Sequence, residues 1–418
     1  MNAHIITIGD EILIGQTINT NAAFIGEKLS GIQVNVRKTS TVPDDEDEIL
    51  KEFKVCLNEN DLVVVTGGLG PTHDDITRTC IVKFFHTELI RNDEVLDDVR
   101  NFFNKRGRKL TKINEDQALV PKNAKVIRNE MGTAPGIWIE KEDKIFVVMP
   151  GVPFEMKTMM NNYIITRLQE KIINKDSFVK RGNLLTTGIP ESMLFERLGN
   201  LKELLGGAKL AFLPSQFGVK LRVTVNEKNE ELATNKLSEI EQKIRSKVGR
   251  FIYSKLDESL EYTVARMLFE RGLTIAVAES CTGGLISNML TNISGSSKFY
   301  ERGIISYSNA SKVEILKVSE DTITQNGAVS LEVARQMAEG IKSISGTDLG
   351  LATTGIMGPT GGSSEKPLGL VYIGLCDDKV CTAKKFQFGD DRFLNKQRAA
   401  QAALDMIRRY LLGIPFDE

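Results

Sequence analysis

The residues best placed to do covalent chemistry lie late in the chain. After the apolar run Leu273-Thr-Ile-Ala-Val-Ala278 comes Glu279-Ser280-Cys281-Thr282-Gly283-Gly284, and a helical pattern begins at Leu285. This order is that of a strand-to-helix turn, which aims Ser280 from the end of a sheet while helix-start N–H groups stabilise an oxyanion. Gly283 and Gly284 let a substrate approach the backbone closely. Ser280 needs a base, yet the only histidines are His4, His73 and His86, all far upstream. A Ser/His or Cys/His pair within this segment is therefore excluded, leaving lysine, tyrosine or a carboxylate. The stretch Ser306-Tyr307-Ser308-Asn309-Ala310-Ser311-Lys312 supplies two of these at a second apparent strand-to-helix junction. A lysine desolvated beside its serine has a lowered pKa and acts as a general base. Taken singly, Lys312 reads as a surface helix lysine and Tyr307 as a strand residue packing the core. Cys281, with no local histidine to make it a thiolate, reads as a small buried filler.

Two further stretches supply binding groups. Thr353-Thr354-Gly355-Ile356-Met357-Gly358-Pro359-Thr360-Gly361-Gly362 follows the strand-like Leu349 to Ala352. Its glycines bring backbone donors to a phosphate or ribose, with the Thr354 hydroxyl at the strand end. Gly389-Asp390-Asp391-Arg392 opens the last helix with Arg398 two turns in, so a guanidinium can hold a phosphate by a forked hydrogen-bond pair.

A separate phosphate cradle stands near the start. The apolar run Asp61 to Thr66 leads into Gly67-Gly68-Leu69-Gly70-Pro71-Thr72-His73-Asp74-Asp75, and a helical pattern follows Ile76. A glycine loop at a helix N-terminus binds phosphate. Two carboxylates at the same place repel a bare phosphate, and a divalent cation between them resolves the conflict. Asp10 and Glu11 leave the first strand and Glu155 follows another, so both segments are candidates to converge there. Asp44 to Glu48 reads instead as a solvated helix N-terminus.

These sites need scaffolds, and 418 residues are too many for one ordinary core. The expectation is two large domains plus a smaller one: 1–170, 171–255 and 256–418. The first alternates short apolar runs with amphipathic ones, an α/β signature. In the second, a strand, a short helix, two close strands and a long helix form a compact α+β unit. The long helix carries Leu232, Leu237, Ile240, Ile244 and Val248 on one face. The third is α/β again. With 54 Lys+Arg against 55 Asp+Glu, the net charge is only -1, which argues against non-specific nucleic-acid binding and for a small metabolite. Five cysteines without a CxxC pair argue against a disulfide framework and a thiolate zinc site. No signal-peptide core and no membrane-length apolar run is found, so the cytoplasm is expected.

The motifs from Ala278 to Gly284, Tyr307 to Lys312 and Thr354 to Gly362, with Lys366-Pro367, Gly369 and the arginine-bearing last helix, resemble the C-terminal domain of the CinA family (competence/damage-inducible protein A). Stand-alone relatives of that domain are nicotinamide mononucleotide deamidases. The resemblance implies Ser280 as nucleophile, Lys312 as base, and Tyr307, Thr354 and Arg398 in the site, with no cofactor. An extra Asp before Arg392 departs from the family's Gly-Asp-Arg spacing and makes Arg392 the competitor of Arg398. Glu279, Thr282, Gly283, Gly284, Asn309, Gly355 and Gly358 complete the expected substrate contacts. The middle unit resembles a K-homology-like domain but has no GxxG tetrad between Gly182 and Gly249 to clamp a nucleic-acid backbone, so it is expected to be a spacer or dimerisation module. The first domain, including Thr20-Asn21 and Gly132 to Gly136, is similar to the molybdopterin-binding-type domain that opens CinA proteins. That resemblance implies divalent-metal-dependent ADP-ribose pyrophosphatase activity or pterin binding, with Thr66, Gly67, Gly68 and Gly70 on phosphate and Asp10, Glu11, Asp74, Asp75 and Glu155 on the metal. It also implies a homodimer acting on nicotinamide mononucleotide and ADP-ribose. A binding or regulatory protein for DNA uptake is the rival from another class.

Overall fold

Leu62–Thr66 is a run of apolar and β-branched residues, and it forms a strand buried along its whole length, as a parallel strand covered on both faces must be. The computed structural model describes residues 1–72, 75–172 and 178–416, in two compact units, Met1–Lys175 and Asp176–Glu418. In the first, Leu62–Thr66 pairs in parallel with Asn2–Ile8 and Lys144–Met149, and Asn35–Val42 extends the sheet beyond Asn2–Ile8. Gly136–Lys141 and Lys125–Ile127 add antiparallel strands, making six. Apolar clusters fill both faces, one around Trp138 and Ile25, the other around Phe53 and Phe146. The strand order reverses between Asn2–Ile8 and Leu62–Thr66, and at such a switch point the carboxyl ends of the strands open a crevice.

The second unit contains two sheets. Lys209–Ser215, Gly218–Glu227, Phe178–Thr186 and Ile252–Ser254 form an antiparallel sheet. Buried residues alternate along Gly218–Glu227, so one face packs against the helix Glu230–Val248 while the other does not. The apolar stripe of that helix is rotated slightly from the expected one. Ala233, Ile240, Ile244 and Val248 are buried, whereas Leu232 is exposed.

The second sheet runs Tyr300–Ile305, Ile275–Glu279, Leu349–Gly355, Leu370–Cys376, Cys381–Gln387, the first three parallel and the rest antiparallel. Helices Leu260–Arg271, Leu285–Thr291 and Arg392–Leu412 cover one face, and Leu331–Ser345 covers the other. The cysteine expectation needs one correction. Cys376 and Cys381 are directly paired residues of adjacent antiparallel strands and form a disulfide, while Cys56, Cys80 and Cys281 are free and buried. The four-residue turn between them supplies a proximity that their spacing does not announce. Among the described residues no helix is long and apolar enough to cross a membrane.

The last helix ties the two sheets together. Arg408 is fully buried, and its guanidinium donates to Asp405 Oδ1 (2.7 Å), the Arg250 carbonyl (2.7 Å) and the Ile252 carbonyl (3.4 Å). Truncation removes all three of these donated bonds from a buried place. Arg408→Met is expected to destabilise this unit by about 3 kcal/mol, while the exposed pair mate change Lys51→Met costs under about 1 kcal/mol. Thermal unfolding of the two variants checks the contrast.

Candidate active site

Ser280 follows directly on the strand Ile275–Glu279, and its N–H donates to the Thr353 carbonyl at 3.0 Å, continuing the parallel register for one more residue. The chain then turns through Gly283 and Gly284, both with positive φ, into the helix Leu285–Thr291. Glu279 holds this turn. Its carboxylate is fully buried and accepts from the N–H groups of Gly284 (2.9 Å), Ile286 (3.1 Å) and Ser287 (2.8 Å) and from the Ser287 hydroxyl (2.6 Å). The N-terminal donors of the helix are thus spent on an internal anion. Beneath the turn, Thr282 Oγ1 and Thr353 Oγ1 share a buried hydrogen bond of 2.8 Å. Glu279 and Thr282 therefore brace the turn from inside, which corrects their expected place as substrate contacts. The amides of Cys281, Thr282 and Gly283 make no hydrogen bond within the protein among the described residues. Of the three residues, only Cys281 lines the pocket beside Ser280, and Thr282 is fully buried.

The candidate base comes from the neighbouring strand-to-helix junction. The strand Tyr300–Ile305 pairs in parallel with Ile275–Glu279, which places the two turns side by side. Ser308 caps the helix Asn309–Glu314 by accepting from Ser311 N–H, and Lys312 lies one turn in. Lys312 is only 1% exposed, far from the surface lysine its sequence neighbours suggest. Its Nζ stands 3.1 Å from Ser280 Oγ and donates to the carbonyls of Ser306 (2.8 Å) and Tyr307 (3.2 Å). Burial holds the amine below the ordinary lysine pKa. A neutral amine has two hydrogens, matching the two carbonyls, and one lone pair for the serine proton. Cys281 is no rival nucleophile, because burial pushes its thiol up to about 12.

A pocket of about 170 Å³ opens above Ser280 and Lys312, lined also by Tyr307, Asn309, Thr354, Gly355, Met357 and Arg392. Tyr307 is 65% exposed and forms the rim, not the core. Its hydroxyl accepts from Arg392 Nη2 (3.3 Å), and Arg392 Nη1 donates to the Gly358 carbonyl (2.9 Å). Thr354 Oγ1 donates to the Ala328 carbonyl (2.8 Å) and is buried. Arg398 is not at this pocket. It lines a different cavity, on the other side of the last helix. A basic residue not anticipated is Lys396, whose Nζ would stand 3.3 Å from a side-chain carbon at Gly283. The signal was present in its i,i+4 relation to Arg392 on one helix.

In the first unit, Thr66 ends its strand fully buried and hydrogen-bonds the Pro150 carbonyl (3.0 Å). Asn21 donates to the Gly151 carbonyl (2.7 Å) and to Thr66 Oγ1 (3.3 Å). Gly67 and Gly68 have φ of 114° and 64°. A side chain at Gly67 would strike the Ile8 carbonyl, and one at Gly68 the Thr77 hydroxyl, so the loop admits only glycine. Asn21 Oδ1 and Thr77 Oγ1 are buried without a hydrogen-bond partner among the described residues. Asp75 Oδ1 accepts from Gly70 N–H (2.8 Å), and its Oδ2 accepts from Thr72 N–H (3.0 Å) and the Thr72 hydroxyl, closing the loop. Asp74, like His73, lies outside the described residues.

Asp44, taken from sequence for a solvated helix start, faces the same place. Its carboxylate accepts from Asp10 N–H (3.2 Å), and burial, then the charges of Asp10, Glu11 and Asp75, raise its pKa. Glu155 stands apart from these acids, bonded to Asn129 Nδ2 (2.6 Å) and raised by burial. Among the described residues, no three of the expected metal acids bring ligand atoms within 4.8 Å of one another. The acids are a loose cluster, not a closed ligand set.

An α/β chain with a buried serine–lysine pair in one unit and a glycine loop facing carboxylates in the other defines the class of molecule. The Probable molybdopterin binding domain matches residues 4–170, the Damage-inducible protein CinA KH domain 181–254, and the CinA C-terminal domain 257–411. A putative competence-damage inducible protein of Caldicellulosiruptor saccharolyticus is 41% identical over 99% of this chain and 100% of its own length. A CinA-like protein of Chloroherpeton thalassium is 41% identical over 98% and 99%. The solved structure of a CinA protein with unknown function from Thermoplasma acidophilum is 39% identical, covering 41% of this chain and 98% of its own, with a TM-score of 0.36. The chain belongs to the CinA family.

The brace is open to test. Glu279→Gln replaces one acceptor oxygen by an NH₂ that meets backbone donors, and is expected to lower stability by about 2 kcal/mol. Urea unfolding against wild type measures it.

Proposed function

We propose that the Ser280 site hydrolyses the carboxamide of nicotinamide mononucleotide to nicotinic acid mononucleotide and ammonia. The observation that carries this reading is the buried Lys312 amine 3.1 Å from Ser280 Oγ, with two carbonyls on its hydrogens. Lys312 takes the Ser280 proton as Oγ bonds to the amide carbon, and the oxyanion meets the main-chain amide of Cys281, a residue of the pocket lining. The Lys312 ammonium then gives its proton to the nitrogen as the C–N bond breaks, and ammonia leaves. Water, deprotonated by the same amine, attacks the acyl carbon, and the proton returns to Ser280. The pocket has room for the ring and its amide, while Arg392 and Lys396 stand where a phosphate outside it would be held.

Ammonia release from nicotinamide mononucleotide tests the reading. Ser280→Ala and Lys312→Met are each expected to lower kcat at least about a thousandfold. The neutral amine is the working form and its pKa is lowered, so kcat/KM rises with pH through that lowered value and levels off well before the ordinary lysine range. Full activity in Ser280→Ala defeats the scheme, and salt-sensitive nucleic-acid binding without turnover supports a binding protein instead.

For the first unit we propose metal-dependent hydrolysis of the ADP-ribose pyrophosphate. The glycine loop and the two unpartnered buried oxygens of Asn21 and Thr77 suit a ligand there. Asp10, Glu11, Asp44 and Asp75 have no ion-pair partner among the described residues, and hard oxygen donors of this kind suit Mg²⁺ or a similar ion. Those four would hold it, and a bound cation supplies charge neutralisation for a pyrophosphate. Thr66 to Gly68 would then orient the phosphates through backbone N–H groups. Asp44→Asn is expected to weaken Mg²⁺ binding about tenfold by calorimetry. Titration with ADP-ribose and with a molybdopterin precursor, each with and without Mg²⁺, separates this reading from a pterin binder.

A further inference from the structure

Arg398 was expected at a phosphate and faces none in the Ser280 pocket. It opens instead onto a cavity of about 890 Å³ between the antiparallel sheet of the second unit and its last helix. That volume lies within the range of small-molecule sites, which are mostly apolar with a few converging polar groups. Two elements bound the cavity from opposite sides: the turn Pro214–Val219 with the segment Thr187–Glu191, and the strand end Phe386–Gly389 with the helix face that carries Arg398, Ala402 and Met406. Hydrogen bonds from Gln401 to Thr187 (3.4 Å) and from Gln216 to Gln397 (3.5 Å) cross between the two sides.

The lining has a definite chemistry. Phe386 and Phe388 lie nearly parallel, 11° apart with centroids 6.1 Å distant, and Phe217 stands on the opposite wall. These are partly buried aromatic faces on which a flat ring stacks. The acid at the rear, Asp405, is already shared by Arg408 and Arg409. Arg398 is half-buried and, among the described residues, makes no hydrogen bond or ion pair. A guanidinium partly withdrawn from water beside apolar walls is completed by an anionic oxygen group.

We propose that this cavity is a second ligand site for a flat aromatic anion, the ring stacking on Phe386 and Phe388 and the carboxylate or phosphate meeting Arg398. It is separate from the Ser280 pocket, and its test does not depend on turnover there. The two faces of one helix serve the two places: Arg392 lies at the first pocket and Arg398, about 9 Å further along the axis, at the second.

The full chain is titrated with naphthalene-2-carboxylate, 2-naphthyl phosphate and neutral 2-naphthol, with saturation-transfer NMR and calorimetry as readouts. At least one anion is expected to bind wild type about tenfold more tightly than naphthol, and the preferred one tells carboxylate from phosphate. Arg398→Gln is expected to erase that preference and leave naphthol binding unchanged. Ala402→Trp, which fills the cavity from the helix side, is expected to abolish binding of all three. Near-ultraviolet circular dichroism establishes that both variants are folded. Equal affinity for charged and neutral rings, anion binding that survives Ala402→Trp, or no binding at millimolar probe each overturns the proposal.

Discussion

A lysine amine almost wholly withdrawn from water, with no ion-pair partner among the described residues, is the constraint around which the second unit is organised. An ammonium in such surroundings is penalised for its lost hydration, which holds its pKa below the ordinary lysine value. Two main-chain carbonyls use its hydrogens and the serine oxygen stands at the remaining position. That arrangement needs two strand ends at the same level, and the parallel register supplies it. Ser306 N–H reaches the Glu279 carbonyl at 2.9 Å, while Ser280 N–H reaches that of Thr353. Three adjacent parallel strands thus deliver Ser280, Lys312 and the glycine loop after Thr354 to one edge of one sheet.

The turn that carries Ser280 is held by a buried carboxylate. Glu279 caps the following helix from inside the sheet, and Thr282 fastens the turn to Thr353. Acceptors at a helix start usually come from the residue just before it. Here the cap comes from the strand, so strand and helix are locked by the same carboxylate. The backbone chemistry of the turn follows from where that one acid sits.

Much of this was legible in the residues. The apolar run into Glu279-Ser280 followed by paired glycines has few structural readings, and the absence of histidine from the region forced the choice of another base. What failed was direction around an axis. Arg392 and Arg398 are six residues apart, and at about 100° per residue they project about 120° from each other, so one motif could not send both to a single phosphate. Lys396, four residues on from Arg392, was the better companion and went unnoticed because no motif marked it. Glu279 and Thr282 looked like site residues because they flank the serine, but Glu279 turns in to the helix-start amides and Thr282 to the Thr353 hydroxyl. Asp44 was hidden by its position just before the cap Asp45, where an acid reads as helix chemistry. The Cys376–Cys381 pair depends on hairpin register, which spacing alone does not express.

One carboxylate takes the N–H groups of Gly284, Ile286 and Ser287 together, so the turn after Ser280 and the start of the helix Leu285–Thr291 cannot loosen separately. Any opening that frees one of those amides leaves a buried acceptor short of a donor. The position of the serine is thereby tied to the integrity of the helix beyond it.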